Sequence, residues 1–193
     1  MKKIEAIQIL QKSNRKLFTL SDIKKLLKIV SDNTAYKQAA GLIEAGVLER
    51  VSKGIYLLAS NKPTDFELAN FLYKPSYVSL DSALNYYGIL VQSPQQIISV
   101  TPNLAKKIEA VGKDFVYMHL NQKYYSDYQQ VDGFLIATPE KAFIDALFFV
   151  ALGRGSLSVE ELILDSIDKN KLKDLAKKID NRAFKKYFKS LKL

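Results

Sequence analysis

Asn33, Thr34, Lys37, Gln38 and Gly41, with Tyr36 at their edge, fall on one face of a helical repeat. They are hydrogen-bonding or small residues, not the Glu/Lys mixture of an ordinary solvated helix. Asn and Gln bond bidentately to adenine, and Lys reaches guanine or a phosphate. A small residue at Gly41 lets a helix backbone come close to a groove. Arg50 and Lys53 follow beside Gly54, cations on a turn that could touch a sugar-phosphate backbone. Such a set suits reading DNA rather than breaking bonds; the plainer alternative is a polar surface helix with no ligand.

Those residues need a scaffold, and the flanking sequence spells one. Residues 20–27 read as a short helix and residues 33–43 as the next, with Ala35, Ala39, Leu42 and Ile43 at i, i+4, i+7 and i+8 forming its packing face. A further helix over residues 2–13 carries Ile4, Ile7 and Leu10 at helical spacing. Thr19 or Ser21 can cap the first of the pair, Ser31-Asp32-Asn33 offers the same chemistry to the second, and Gly46 suits its end. Residues 47–58 then read as two strands around Ser52-Lys53-Gly54. This order is that of a winged helix-turn-helix, whose second helix is shaped to enter a major groove.

The charge pattern fits a polyanionic partner. The net charge is +9, from +6 over residues 1–60, −3 over 61–164 and +6 over 165–193. Basic ends flank an acidic middle, so both ends can lie near phosphates. Lysine outnumbers arginine 25 to 4, so part of this excess can be plain compositional bias. The absence of cysteine excludes disulfides and thiolate metal sites, and a single histidine argues against zinc. No run approaches the length of a membrane span and no signal-peptide core opens the chain, so a cytoplasmic protein is expected.

Asn61-Lys62-Pro63-Thr64-Asp65 reads as a linker between domains at 1–60 and 61–193. Short strands are expected at 77–80, 96–100, 115–120 and 134–137, with a helix at 81–87 closed by Gly88. Thr138-Pro139-Glu140 opens a very apolar helix running to about residue 151. Segments 158–167, 169–179 and 181–192 read as helices with a lysine-rich face, and Tyr187-Phe188 is expected to dock the last of them. The fold class expected is mixed α+β, with an α/β second domain built on a small sheet.

Enzymatic sets are weak. His119 with Asp114 and Asp127 lacks a nucleophile on a strained turn, and no Gly-x-Ser-x-Gly occurs. Asp132 with Glu140-Lys141 approaches a metal-nuclease pattern but lacks the intervening residue, and Glu140 has a structural reason at a helix start. No Walker-type loop is present. No catalytic residue, metal or cofactor is therefore expected. Tyr86, Tyr87, Tyr124, Tyr125 and Tyr128 with Lys123 could stack on single-stranded bases, although tyrosine packs equally well. Lys169, Lys173, Lys177, Lys178, Lys185, Lys186 and Lys189 could extend a DNA contact or simply be solvated.

Three ordered segments resemble a known family. They are the Lys53-Gly54-Ile55-Tyr56 hairpin, the run Pro75-Ser76-Tyr77-Val78-Ser79-Leu80-Asp81-Ser82-Ala83-Leu84 on to Gly88, and Ala137-Thr138-Pro139-Glu140-Lys141-Ala142-Phe143-Ile144-Asp145 on to Leu147. Over about residues 5–155 the chain resembles AbiEi-type antitoxins, the regulators of type IV abortive-infection toxin–antitoxin systems. That resemblance implies a repressor that binds inverted repeats in its own promoter; since one such module reads only a few base pairs, two copies are expected there, as a dimer or a cooperative pair. It also implies a second domain that counteracts a nucleotidyltransferase toxin without necessarily touching it. Two other readings stay open: a ligand-responsive winged-helix regulator without a toxin, and a nucleic-acid enzyme targeted by the first domain.

Overall fold

The computed structural model describes residues 3–191 and divides into two units between Thr64 and Asp65, within the Pro63-containing polar run. The chain is mixed α+β, with eight α-helices and two sheets among the described residues. Residue 2 of the first expected helix and Lys192 of the last lie outside the described residues.

In the first unit, α1 (Lys3–Lys12), β1 (Leu17–Thr19), α2 (Leu20–Leu26), α3 (Asp32–Glu44), β2 (Leu48–Ser52) and β3 (Ile55–Leu58) follow in order. Each helix turns a narrow apolar stripe inward. Ala6, Leu10, Ile23, Ala39 and Leu42 meet Phe18, Leu48, Tyr56 and Leu58 in one core. The strands form an antiparallel sheet in the order β1-β3-β2. The three-residue β1 was not expected, being too short for alternation to reveal. It exists because Phe18 pairs with Tyr56 on β3. Between β2 and β3 the chain turns at Lys53-Gly54, where Gly54 takes φ +75, a conformation that costs glycine nothing.

Of the two capping candidates for α2, Thr19 takes the role. Its Oγ1 accepts from the Asp22 N–H at 3.1 Å, while the Asp22 Oδ2 accepts from the Thr19 N–H at 2.9 Å. This reciprocal box satisfies two helix-end donors at once. Burial pushes the Asp22 carboxyl up, but bonds from Thr19 and the charge of Arg15 outweigh it and hold the group below the usual carboxylate range. Thr19→Ala should cost about 1 kcal/mol in thermal or chemical denaturation. A lowered carboxyl contributes stability above its unfolded pKa and loses it as pH falls through the folded value. The gap between wild type and variant should therefore narrow below about pH 4.

The start of α3 differs from expectation. Ser31 occupies the cap position, yet its side chain makes no capping bond. Asp32 instead pairs with Lys24 of α2, and its charge in the first turn complements the helix dipole. The far end is as expected: Gly46 sits at φ +69, and the Val47 N–H returns to the Leu42 carbonyl at 2.9 Å.

The second unit contains α4 (Asp65–Leu72), β4 (Tyr77–Val78), α5 (Leu80–Tyr86), β5 (Gln96–Thr101), β6 (Lys106–Ala110), β7 (Lys113–His119), β8 (Tyr128–Val131), β9 (Phe134–Ala137), α6 (Pro139–Ala151), α7 (Lys169–Lys178) and α8 (Arg182–Ser190). Its sheet has six strands in the order β6-β7-β5-β4-β9-β8, larger than the small sheet expected. The added strands β6 and β8 are its edges. The sequence of β6, Lys-Lys-Ile-Glu-Ala, is mostly charged and exposed, so it carries no apolar signal. A signal for β8 does exist, because Asp132-Gly133 at φ +47 and +90 is the tight-hairpin dipeptide.

The apolar helix α6 is as buried as expected, with Thr138 accepting from the Lys141 N–H and Pro139 in the first turn. The expected helix over 158–167 does not form. Only a single 3-10 turn, Val159–Glu161, is present. The Ile163 N–H then bonds to the Ile89 carbonyl at 2.9 Å, which takes the backbone out of helical pairing. Phe184 is the residue that docks α8, at 1 % exposure, while Tyr187 and Phe188 are only half-buried. The docking role expected of Tyr187-Phe188 belongs to their neighbour one turn earlier.

Candidate nucleic-acid interface

At about 3.6 residues per turn, α3 places Asn33, Thr34, Lys37, Gln38 and Gly41 along one side and Ala35, Ala39 and Leu42 along the other. The burial follows that division. Ala35, Ala39 and Leu42 are buried; Asn33, Thr34 and Lys37 are exposed, and Tyr36 is 43 % exposed. Gln38 and Gly41 are half-buried. A Cβ built on Gly41 would meet nothing within 4 Å. The position is open, so glycine there is not required by packing.

Lys37 and Lys53 have no hydrogen-bond or ion-pair partner among the described residues, so both charges face solvent unneutralised. Three other cations of this unit are engaged, Arg15 with Asp22 at 2.8 Å, Lys24 with Asp32, and Lys62 with Glu49 at 2.8 Å, whereas Lys12, Lys25 and Lys28 share the open state of Lys37 and Lys53 among the described residues. Arg50 is exposed on β2 opposite Tyr56, and its Nε donates to the Ser52 carbonyl at 3.4 Å. Burial pushes the Tyr56 hydroxyl above its ordinary value, and the Arg50 charge works against that rise.

Two residues join this surface that sequence reasoning did not single out. Glu44 is exposed and lies on the same side of α3 as Asn33 and Lys37, one carboxylate closing the row. It repels phosphate but accepts a bond from the amino group of cytosine. Val30, 94 % exposed, stands immediately before the cap of α3. Its sequence position suggests a staple onto the helix, yet its side chain is left in solvent.

The residues considered for catalysis are not brought together. Asp114 and His119 stand near opposite ends of β7, about 16 Å apart along an extended strand. Asp114 pairs with Lys107 at 2.9 Å, and His119 Nδ1 lies 2.8 Å from the Asn103 carbonyl oxygen. Asp127 takes the Ser126 hydroxyl at 2.6 Å. The whole of β9 separates Asp132 from Glu140. Among the described residues no group of three or more His, Cys, Asp or Glu could hold a metal ion. The tyrosines pack on one another: Tyr86 meets Tyr87 edge-on at 5.2 Å, and Tyr128 stacks on Tyr77 at 4.9 Å.

The segments around Ser79 and around Asp145 meet in a buried polar knot. Asp145 Oδ1 takes the Lys141 ammonium at 2.5 Å, and Oδ2 accepts from the Ser79 hydroxyl at 2.8 Å and the Tyr77 hydroxyl at 3.0 Å. Ser79 occupies the cap position of α5 but spends its hydroxyl on Asp145 instead. Burial first, and the Asp145 carboxylate next, push the Tyr77 hydroxyl well above its ordinary value. Neighbouring Glu140 accepts from the Asp168 N–H at 3.1 Å, tying the start of α7 to α6. With Lys141 and Asp145 nearly sealed from solvent, the knot holds elements together and presents nothing to a substrate.

No protein-family model matches the chain, and no protein of curated function matches it in sequence. Among the described residues no helix is long and apolar enough to cross a membrane.

Proposed function

We propose that the first unit is a winged helix-turn-helix that binds double-stranded DNA, with α3 in the major groove and the Lys53 turn on the phosphate backbone. The observation that carries this is the row Asn33, Thr34, Lys37, Gln38 and Gly41 on α3, exposed at its first three positions and half-buried at the other two, rich in uncharged donors and acceptors and backed by the buried Ala35, Ala39 and Leu42. Tyr36 and Arg50 flank the row and the wing. One such module reads only a few base pairs, so specific binding takes two copies on an inverted repeat. The ordered motifs after Thr64 support the fuller reading: an autoregulating repressor that is the antitoxin of a type IV system and counteracts a nucleotidyltransferase toxin.

The DNA reading is tested by titrating the protein against the DNA upstream of its own reading frame at several salt concentrations. Affinity should fall linearly with log salt. Lys53→Ala should weaken all sequences alike and reduce the slope by about 0.9, one lost phosphate contact. An unchanged slope removes the turn from the interface. The antitoxin reading is tested separately, by rescue of cells expressing a neighbouring nucleotidyltransferase frame.

A further inference from the structure

The longest basic stretch of the chain lies in α7 and α8, far from the proposed reading helix in sequence. The two helices enclose a groove of about 620 Å³. Its floor is apolar: Ala176, Phe184 and Phe188, the two rings stacked with centroids 5.6 Å apart. Its rim is four lysines, Lys173 and Lys177 from α7 and Lys185 and Lys189 from α8. In both helices the rim lysines are four residues apart, the spacing at which like charges face and destabilise a helix. Asp174 engages Lys177 at 2.8 Å and Asp180 engages Lys185 at 2.7 Å. Lys173 and Lys189 have no ion-pair partner among the described residues.

With Lys177 and Lys185 already paired, the rim keeps two uncompensated charges, Lys173 and Lys189, one from each helix, which carboxylates of a partner would neutralise. We infer that the α7–α8 groove docks an acidic amphipathic helix of a partner protein, its apolar stripe on Ala176, Phe184 and Phe188 and its carboxylates between the two lysine rows. A phosphate backbone would use the lysines but has no need of an apolar floor between them. An anionic membrane would be met by apolar side chains that protrude, whereas these lie recessed beneath the rim. The length of α7, about 15 Å, suits about three turns of a partner helix. The inference concerns the second unit and stands independently of what the first unit reads.

The test uses the full chain and a labelled synthetic peptide of about 18 residues, a leucine stripe between two rows of glutamates, followed by fluorescence anisotropy. Saturable one-to-one binding is expected, weakened about tenfold or more by Lys173→Glu with Lys189→Glu. Lys173→Gln with Lys189→Gln gives a smaller loss in the same direction and serves if charge reversal unfolds α8. A peptide with lysines in place of glutamates should bind the charge-reversed protein better than the wild type. Equal binding of a scrambled peptide of the same composition overturns the inference, since charge alone would then suffice. It is equally overturned if the substitutions lower affinity for random duplex DNA or anionic vesicles and leave the peptide untouched.

Discussion

Lys141→Ala is expected to destabilise the second unit by about 3–5 kcal/mol, the largest effect of any single change considered for this chain. Its ammonium and the Asp145 carboxylate have side chains only 3 % and 1 % exposed. Removing the lysine strands a carboxylate that water cannot reach and that two hydroxyls cannot neutralise. Replacing both partners, Lys141→Met with Asp145→Leu, should recover part of the loss, because burying no charge is cheaper than burying one alone. Recovery stays incomplete because the Ser79 and Tyr77 hydroxyls lose their acceptor, at about 1–3 kcal/mol for each group left unpaired. Urea denaturation followed by tyrosine fluorescence reads both variants, the chain having eleven tyrosines and no tryptophan. A loss below about 1 kcal/mol in the single variant would sink this account of the knot.

On α3, Lys37→Ala and Gln38→Ala should each remove about 1–3 kcal/mol of specific DNA affinity. Neither residue contributes to the core, so thermal stability should hardly move. Gly41→Ala sharpens the experiment. Alanine in a helix interior is favoured over glycine by about 1 kcal/mol, and the added Cβ meets nothing. The variant should thus fold more stably and yet bind DNA more weakly, because in the proposed docking the methyl would stand where the groove floor approaches. Greater stability with lower affinity cannot arise from misfolding. Should Gly41→Ala bind as well as wild type while Lys37→Ala and Gln38→Ala also change nothing, α3 is not the reader.

The first unit was legible because local chemistry and packing agree there. The apolar positions 35, 39 and 42 fix the inner face of α3 by period alone, and Gly46 and Gly54 mark its end and the hairpin by conformation. Ser31 was misleading: its capping hydroxyl is present, but Asp32 is drawn to Lys24 and the cap is not made. The second unit was harder because several of its elements depend on partners remote in sequence. Leu162 bridges to Leu90 and so cannot stay helical, although its own neighbourhood suggests a helix. Ser79 and Asp145, 66 residues apart, acquire their meaning only in contact. Glu44 and Val30 were missed at the candidate interface for another reason: a helix-end acid and an apolar residue before a cap have ordinary explanations that only exposure removes.

The edges of the six-stranded sheet have a consequence for how the protein behaves when crowded. A strand at a sheet's rim is an invitation to a neighbouring molecule to pair with it. On β6 the invitation is withdrawn by charge within the strand, through Lys106, Lys107 and Glu109. The β8 edge, Tyr-Gln-Gln-Val, carries no charge, but Asp127 and Asp132 bracket it at φ +57 and +47 and turn the chain away on both sides. One rim is thus guarded by electrostatics, which salt weakens, and the other chiefly by backbone shape, which salt leaves alone. Concentrated protein in high salt should lose its protection against end-to-end growth at β6 first.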